Sequence, residues 1–152
     1  MSKVLVADAN KCVGCRICEQ WCSMSHFQVG NPRKSRITIT RSHEDYMDYP
    51  AVCQQCVDTP CINACPTKAS ALSKDEATGA VKVNEEKCTL CKMCIKACPY
   101  NAIKVHPTEK YVLICDLCGG EPQCVKYCPE SALSYVEREE AEKLIAAAKE
   151  DQ

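Results

Sequence analysis

The apolar positions of this chain come in short pieces, each ending at a cluster of cysteines or turn-forming residues. Residues 3–7, KVLVA, are a nearly unbroken apolar run and predict a short strand leading into the first cysteine loop. Across residues 36–41 polar and apolar positions alternate, with Ile37 and Ile39 on one face, as in a half-buried strand. Two further pairs of apolar segments flank turn residues: 71–72 with 81–83 around the turn at 75–79, and 100–105 with 111–114 around His106, Pro107 and Thr108. Each pair predicts a hairpin. Residues 19–24 read as a helical turn. The tail, 136–152, is rich in Glu, Ala, Lys and Leu without Gly or Pro, and predicts a helix. There Glu139 and Lys143 form an i, i+4 pair, and Leu144, Ile145 and Ala148 form a narrow apolar stripe. That stripe is expected to pack on the protein's own body, with a subunit contact as the alternative.

Composition changes this picture. Sixteen of 152 residues are cysteine, too many for an ordinary globular domain, and the other apolar residues make only a modest core. The fold is therefore expected to depend on cofactors, and the apo form to be largely unfolded. Residues 88–99, CTLCKMCIKACP, read C-x2-C-x2-C-x3-C-P. Cys12, Cys15, Cys18 and Cys22 repeat that spacing; Cys53, Cys56, Cys61 and Cys65 widen the middle gap to four residues, and Cys115, Cys118, Cys124 and Cys128 to five. Strand, cysteine loop, helical turn with Cys-Pro, strand is the repeating unit. The first group departs from it, with Ser23 where the others have Pro66, Pro99 and Pro129, so its helix is expected to run further.

Three chemistries compete for these thiols. Disulfides suit secreted domains, but MSKVLVADANKC has no apolar leader core, twin Arg or cleavage site, and a cytoplasmic chain with no membrane span is expected. Zinc sites take C-x2-C pairs from two loops, which would make the chain a zinc-stapled scaffold; here every pair has a third Cys close by and a fourth three residues beyond it. That grammar belongs to iron–sulfur proteins, and sixteen thiols supply four 4Fe-4S clusters with none left over. His26 and His43 are then not needed as ligands. The formal charge of -1 becomes distinctly acidic once four clusters add roughly -8, which argues against nucleic acid as a partner.

Several other residues carry two readings. Gly14 either lets N–H groups point at cluster sulfur or is a plain turn glycine. Trp21 is read as a buried structural aromatic, with shielding of a cluster as the alternative. Arg33, Lys34, Arg36 and Arg41 either neutralise a nearby cluster or face solvent, or else form a docking surface for a partner subunit. Val13, Ile17, Ile62, Leu90, Met93, Ile95, Leu117 and Val125 desolvate clusters and serve as core. No catalytic site is expected: every thiol is used, no Gly-rich phosphate loop is present, and a cluster with four Cys ligands has no open position.

Residues 53–105 resemble a complete bacterial ferredoxin, in which fourth ligands are exchanged between two clusters. The resemblance implies one cluster on Cys53, Cys56, Cys61 and Cys98 and another on Cys88, Cys91, Cys94 and Cys65. The outer groups would then share Cys12, Cys15, Cys18 and Cys128, and Cys115, Cys118, Cys124 and Cys22; sequential pairing of groups one with two and three with four is the alternative.

The fragments CxQCxxxPCxxACP, CxLCKxCxxACPYxAI and CDLCxxxxxCVxYCP resemble the four-cluster electron-transfer subunits of molybdenum and tungsten oxidoreductases, such as the beta subunits of dimethyl sulfoxide reductase and formate dehydrogenase. Those subunits are usually longer, often with a membrane-anchoring extension. The first group, with Asn31, Pro32, Ser35, Arg36 and Ile37, looks more like the small iron–sulfur subunits that accompany tungsten enzymes of the aldehyde ferredoxin oxidoreductase type.

The resemblance implies an α+β fold of two pseudo-symmetric ferredoxin-like modules, one inserted in the other, with short hairpins and a C-terminal helix. Residues 1–24 with 106–135 form the outer module, 25–52 the connection, 53–105 the inner module and 136–152 the helix. It implies electron transfer to or from a large tungsten- or molybdenum-pterin subunit, with a flavin or ferredoxin as a further partner. A soluble polyferredoxin, or a subunit of a carbon monoxide dehydrogenase, hydrogenase or acyl-CoA reductase system, is the alternative. A row of clusters has two ends, and a head-to-tail contact between copies would propagate into a filament.

Overall fold

The computed structural model describes residues 3–66 and 70–150, with the side chains of 148–150 left out. Thr67, Lys68 and Ala69 of the ferredoxin-like fragment, Ala148 of the expected stripe and the last two residues of the expected helix lie outside the described residues.

The described strands form four antiparallel ribbons of two strands each. β1 (Lys3–Ala7) pairs with β8 (Leu133–Glu137), with Leu5 opposite Tyr135 and Val4 opposite Val136. Leu5 faces the main core, while Val4 and Val6 face Ala141 and Ile145 of the C-terminal helix α5 (Arg138–Glu150). A strand covered on both sides has no polar face, hence the unbroken run. The helix starts two residues later than the pattern predicts, because Val136 and Glu137 continue the ladder against Val4 and Lys3. Its apolar contact is made by Ala141 and Ile145, four residues apart on one face, whereas Leu144 of the expected stripe is 40% exposed.

β2 (Thr38–Arg41) pairs with β3 (Asp48–Ala51), where Pro50, which has no N–H, is tolerated in a two-stranded ribbon. The strand expected from residue 36 begins at 38, since the preceding N–H groups bond elsewhere. Arg36 N donates to Cys22 Sγ at 3.2 Å and Ile37 N to Ser35 Oγ at 3.2 Å. The two expected hairpins are present as β4 (Leu72–Lys74) with β5 (Val81–Val83), and β6 (Lys104–Val105) with β7 (Val112–Leu113).

Among the described residues four α-helices carry cysteines. α1 (Ile17–Phe27) has 11 residues; α2 (Pro60–Ala64), α3 (Met93–Ala97) and α4 (Gln123–Tyr127) have five each. The short three stop at Cys65, Cys98 and Cys128, which are extended because a proline follows each. Ser23 lets α1 continue, and its hydroxyl donates to Gln20 O and accepts from Asn31 N. α1 packs on α4 and α2 on α3. The core splits accordingly. Leu5, Ile37, Ile39, Val52, Leu117 and Leu133 surround Cys18, Cys22 and Cys124. Leu72, Val81, Ile103, Val112 and Ile114 surround Cys53, Cys61 and Cys94.

Candidate metal centres

Each cysteine loop contains the same backbone reversal. The residue before the second cysteine has a positive φ in all four groups: Gly14 at 69°, Gln55 at 48°, Leu90 at 56° and Leu117 at 58°. In three of them the N–H of that residue donates to the sulfur of the first cysteine, Gly14 to Cys12, Gln55 to Cys53 and Leu117 to Cys115. Left-handed backbone costs a non-glycine residue roughly 1–2 kcal/mol, and its recurrence at one position makes a concavity of N–H groups suited to anionic sulfur. Sequence reasoning saw only the glycine; alignment of the four loops on Gly14 is the signal that would have found the others. Gly14 has a second constraint, since a Cβ there would lie 2.5 Å from Asp48 Oδ2.

The thiols converge in fours from distant segments. Cys12, Cys15, Cys18 and Cys128 line a recess of about 350 Å³, part of it open to solvent. Cys65, Cys88, Cys91 and Cys94 line one of about 330 Å³, and Cys22, Cys115, Cys118 and Cys124 one of about 360 Å³. Cys53 lies within electrostatic reach of Cys61, Cys56 and Cys98. The quartets also adjoin one another: Cys18 is near Cys124, Cys115 near Cys53, and Cys61 near Cys94. Cys15 and Cys91 are exposed, at opposite ends of this series.

The electrostatics fit an iron–sulfur core. Burial pushes the thiols of Cys18, Cys53 and Cys124 up to about 12, that of Cys94 to about 11, and that of Cys115 well above its ordinary value. Four thiolates in such a recess need a multivalent cation, and coordination is what deprotonates them. Cys22 differs. Burial works to raise it, but the hydrogen bonds of His26, Arg36 N–H and Ser35, with the His26 charge, hold it below the ordinary value. An orphaned donor points the same way: Arg36 lines the Cys22 recess, and its buried Nε has no hydrogen-bond partner. Sulfur of a bound cluster would accept it.

Several predicted roles change in three dimensions. Trp21 is 36% exposed rather than buried, because it stacks on Tyr127 of α4, centroids 3.7 Å apart and planes 4° apart. His26, Asp116 and Cys118 bring ligand atoms within 4.8 Å of one another. Yet His26 Nδ1 faces Cys22 O at 2.8 Å and Nε2 faces Asp116 Oδ1 at 2.9 Å. Both nitrogens face acceptors, so both donate, and no lone pair is left for a metal. Of the basic stretch, Arg36 pairs with Asp116 at 2.9 Å and Arg41 with Asp48 at 2.9 Å. Lys34 lies over the Phe27 ring. Sequence reasoning missed Glu19, 2% exposed, whose Oε1 accepts from Ile39 N at 2.7 Å and ties β2 to α1. It also missed Gln55, which bridges Val81 and Cys115. No helix among the described residues is long and apolar enough to cross a membrane.

Residues 44–138 match the 4Fe-4S dicluster domain family, a stretch that holds twelve of the cysteines and leaves out the first group. The chain is 48% identical over 122 residues to the polyferredoxin-like subunit of aliphatic sulfonate oxidoreductase from Pyrococcus furiosus, covering 80% of this chain and 69% of the relative. It is 35% identical over 171 residues to the electron transport protein HydN of Escherichia coli, covering 96% of this chain and 94% of that one. Among solved structures it resembles a chain of the active site complex BamBC of benzoyl coenzyme A reductase in complex with benzoyl-CoA. The TM-score is 0.51 and the identity 28%, over 97% of this chain and 89% of the other. The first two relatives are by name a polyferredoxin-like subunit and an electron transport protein, and this chain belongs to the 4Fe-4S dicluster domain family of electron-transfer proteins.

Proposed function

We propose that the chain holds four 4Fe-4S clusters in a row and relays electrons to or from the catalytic subunit of a tungsten- or molybdenum-pterin oxidoreductase. The ligand sets of the proposal are Cys12, Cys15, Cys18 and Cys128; Cys22, Cys115, Cys118 and Cys124; Cys53, Cys56, Cys61 and Cys98; and Cys65, Cys88, Cys91 and Cys94. The observation that carries it is that thiols of successive quartets lie within electrostatic reach of one another, Cys18 of Cys124, Cys53 of Cys115, and Cys61 of Cys94. When bound, each cluster supplies a one-electron couple. The chain's own part is to hold sixteen thiolates, direct N–H groups at sulfur, and keep water from the middle of the row with Leu5, Val52 and Leu117.

At the two ends the sulfurs of Cys15 and Cys91 reach the surface beside Val13 and Met93, which are 57% and 47% exposed. Those are the faces through which electrons enter and leave. In the proposed architecture an inner module, 53–105, is inserted into an outer one, 1–24 with 106–135, and the pairing of α2 with α3 and α1 with α4 supports it. The Pyrococcus furiosus relative, a polyferredoxin-like subunit of an oxidoreductase by name, favours a bound subunit over a free carrier. Aldehyde oxidation is the partner activity that the sequence resemblance suggests. Two of the relatives belong by name to an aliphatic sulfonate oxidoreductase and to a benzoyl coenzyme A reductase complex. A wire contributes no substrate contact, so the partner sets the substrate.

Anaerobic purification of the native protein with metal analysis tests both parts. About 16 iron atoms per chain, four for each cluster, and a co-purifying large subunit containing tungsten or molybdenum are expected. Half that iron, or zinc in its place, refutes the four clusters. Full iron without a large subunit leaves a free polyferredoxin. Ligand exchange has its own check: Cys98→Ala removes the cluster held by Cys53, Cys56 and Cys61 and spares the one held with Cys65. The opposite result means that each loop keeps its own fourth cysteine.

A further inference from the structure

The surroundings of the four quartets are not alike. Beside Cys12 and Cys18 the charges that act on the thiols are Asp48 and Glu19, each paired with one arginine, Arg41 at 2.9 Å and Arg16 at 3.8 Å. Beside Cys56, Asp58 and Arg138 oppose each other. Around Cys22, Cys115, Cys118 and Cys124, by contrast, Arg36 and His26 converge on one carboxylate, Asp116, each at 2.9 Å. The two acceptors facing His26 make it an imidazolium, and a guanidinium is always charged. The triad therefore carries a net positive charge. Lys104, whose Nζ donates to Pro32 O at 3.0 Å, and Glu19 add one charge of each sign and leave that sum unchanged.

Arg36 also supplies the hydrogen bond from its backbone N to Cys22 Sγ, 3.2 Å, and the unpartnered Nε in the recess wall. The same recess is lined by Leu5, Ile37, Val52 and Leu117, each exposed by 3% or less. Such a lining disfavours the more negative, reduced state of any cluster held there and lowers its potential. Positive charge and N–H donors raise it.

We propose that Arg36, Asp116 and His26 form a potential-setting triad for the cluster held by Cys22, Cys115, Cys118 and Cys124. This proposal rests on the reading of that quartet as a cluster site. The triad offsets the burial of an inner position in the row, so that an electron passing between Cys18 and Cys53 does not meet an uphill step there. Asp116 has the central place: it holds both cations beside the sulfurs and accepts from Cys118 N at 3.0 Å. The three residues are positioning residues for the cluster's charge and bind no substrate.

The test is an anaerobic potentiometric titration of the full chain in its native complex, followed by EPR, with iron measured on each sample. Arg36→Gln and His26→Gln each remove one positive charge. Each is expected to leave iron content unchanged and to disfavour reduction of one cluster out of four by roughly tenfold, about 59 mV for a one-electron couple. Arg36→Lys keeps the charge without the planar donor, and returns most of the shift. Unmoved potentials at full iron content overturn the proposal, as does a uniform shift of all four. Loss of a quarter of the iron in both Gln variants, not restored by Lys, also overturns it and assigns the triad a structural role. If the unaltered protein lacks iron, the cluster reading itself has failed, an outcome distinct from full iron with unmoved potentials.

Discussion

Gln55→Ala is the substitution whose cost the structure defines most closely. Gln55 is 1% exposed, and its side-chain amide joins the two halves of the core. Nε2 donates to Cys115 O at 2.8 Å, and Oε1 accepts from Val81 N at 2.8 Å. Alanine leaves both backbone groups buried without a partner. Each unpaired group costs about 1–3 kcal/mol, and water admitted to the vacated space recovers part of the sum. A net loss of about 3 kcal/mol is expected, or roughly a hundredfold in unfolding rate if it appears wholly there.

The assay is guanidinium-induced unfolding of the anaerobic holo protein, followed by the visible absorbance of its clusters. Gln55→Gly is the internal comparison. It loses the same two bonds but relieves the positive φ of 48°, and is expected to be more stable than the Ala variant by roughly 1 kcal/mol. A Gln55→Ala protein within about 0.5 kcal/mol of the parent, well under the cost of one unpaired buried group, refutes the bridge. A glycine variant weaker than the alanine one refutes the strain argument.

Two further outcomes are expected. Gly14→Ala places a methyl 2.5 Å from Asp48 Oδ2 at a φ of 69°, so the loop of Cys12 and Cys15 must shift; faster loss of one quarter of the iron under mild chelation is expected, and a chelation profile identical to the parent's rules out the close approach. Stripping iron with a chelator under reducing conditions is expected to abolish most secondary structure by circular dichroism, because eleven of the sixteen cysteines lie in or against the two main apolar clusters; an apo protein with native helix content contradicts the modest-core argument.

Much of the local structure was legible from spacing and periodicity. β1, the β4–β5 and β6–β7 hairpins and the longer α1 lie where the patterns put them. The misses share one cause. Strand β8, the delayed start of β2 and the identity of the α5 contact face all depend on partners elsewhere in the chain. Val136 belongs to β8 because Val4 is opposite it, and Arg36 leaves the β2 ladder because Cys22 takes its N–H. Trp21 is exposed because Tyr127 offers a flat surface at the rim instead of a place inside.

By itself the sequence determined the cysteine loops: the spacing within each group, and where three of the four helical turns stop at Cys-Pro. Such features depend on a few adjacent residues, and loop geometry follows from spacing. Only the tertiary structure decided which loops face each other and what charge surrounds each recess. His26 meets Asp116 across 90 residues and Gln55 meets Cys115 across 60. Contacts at that separation form only when α1 packs on α4 and β1 closes against β8, and no local pattern of residues encodes them.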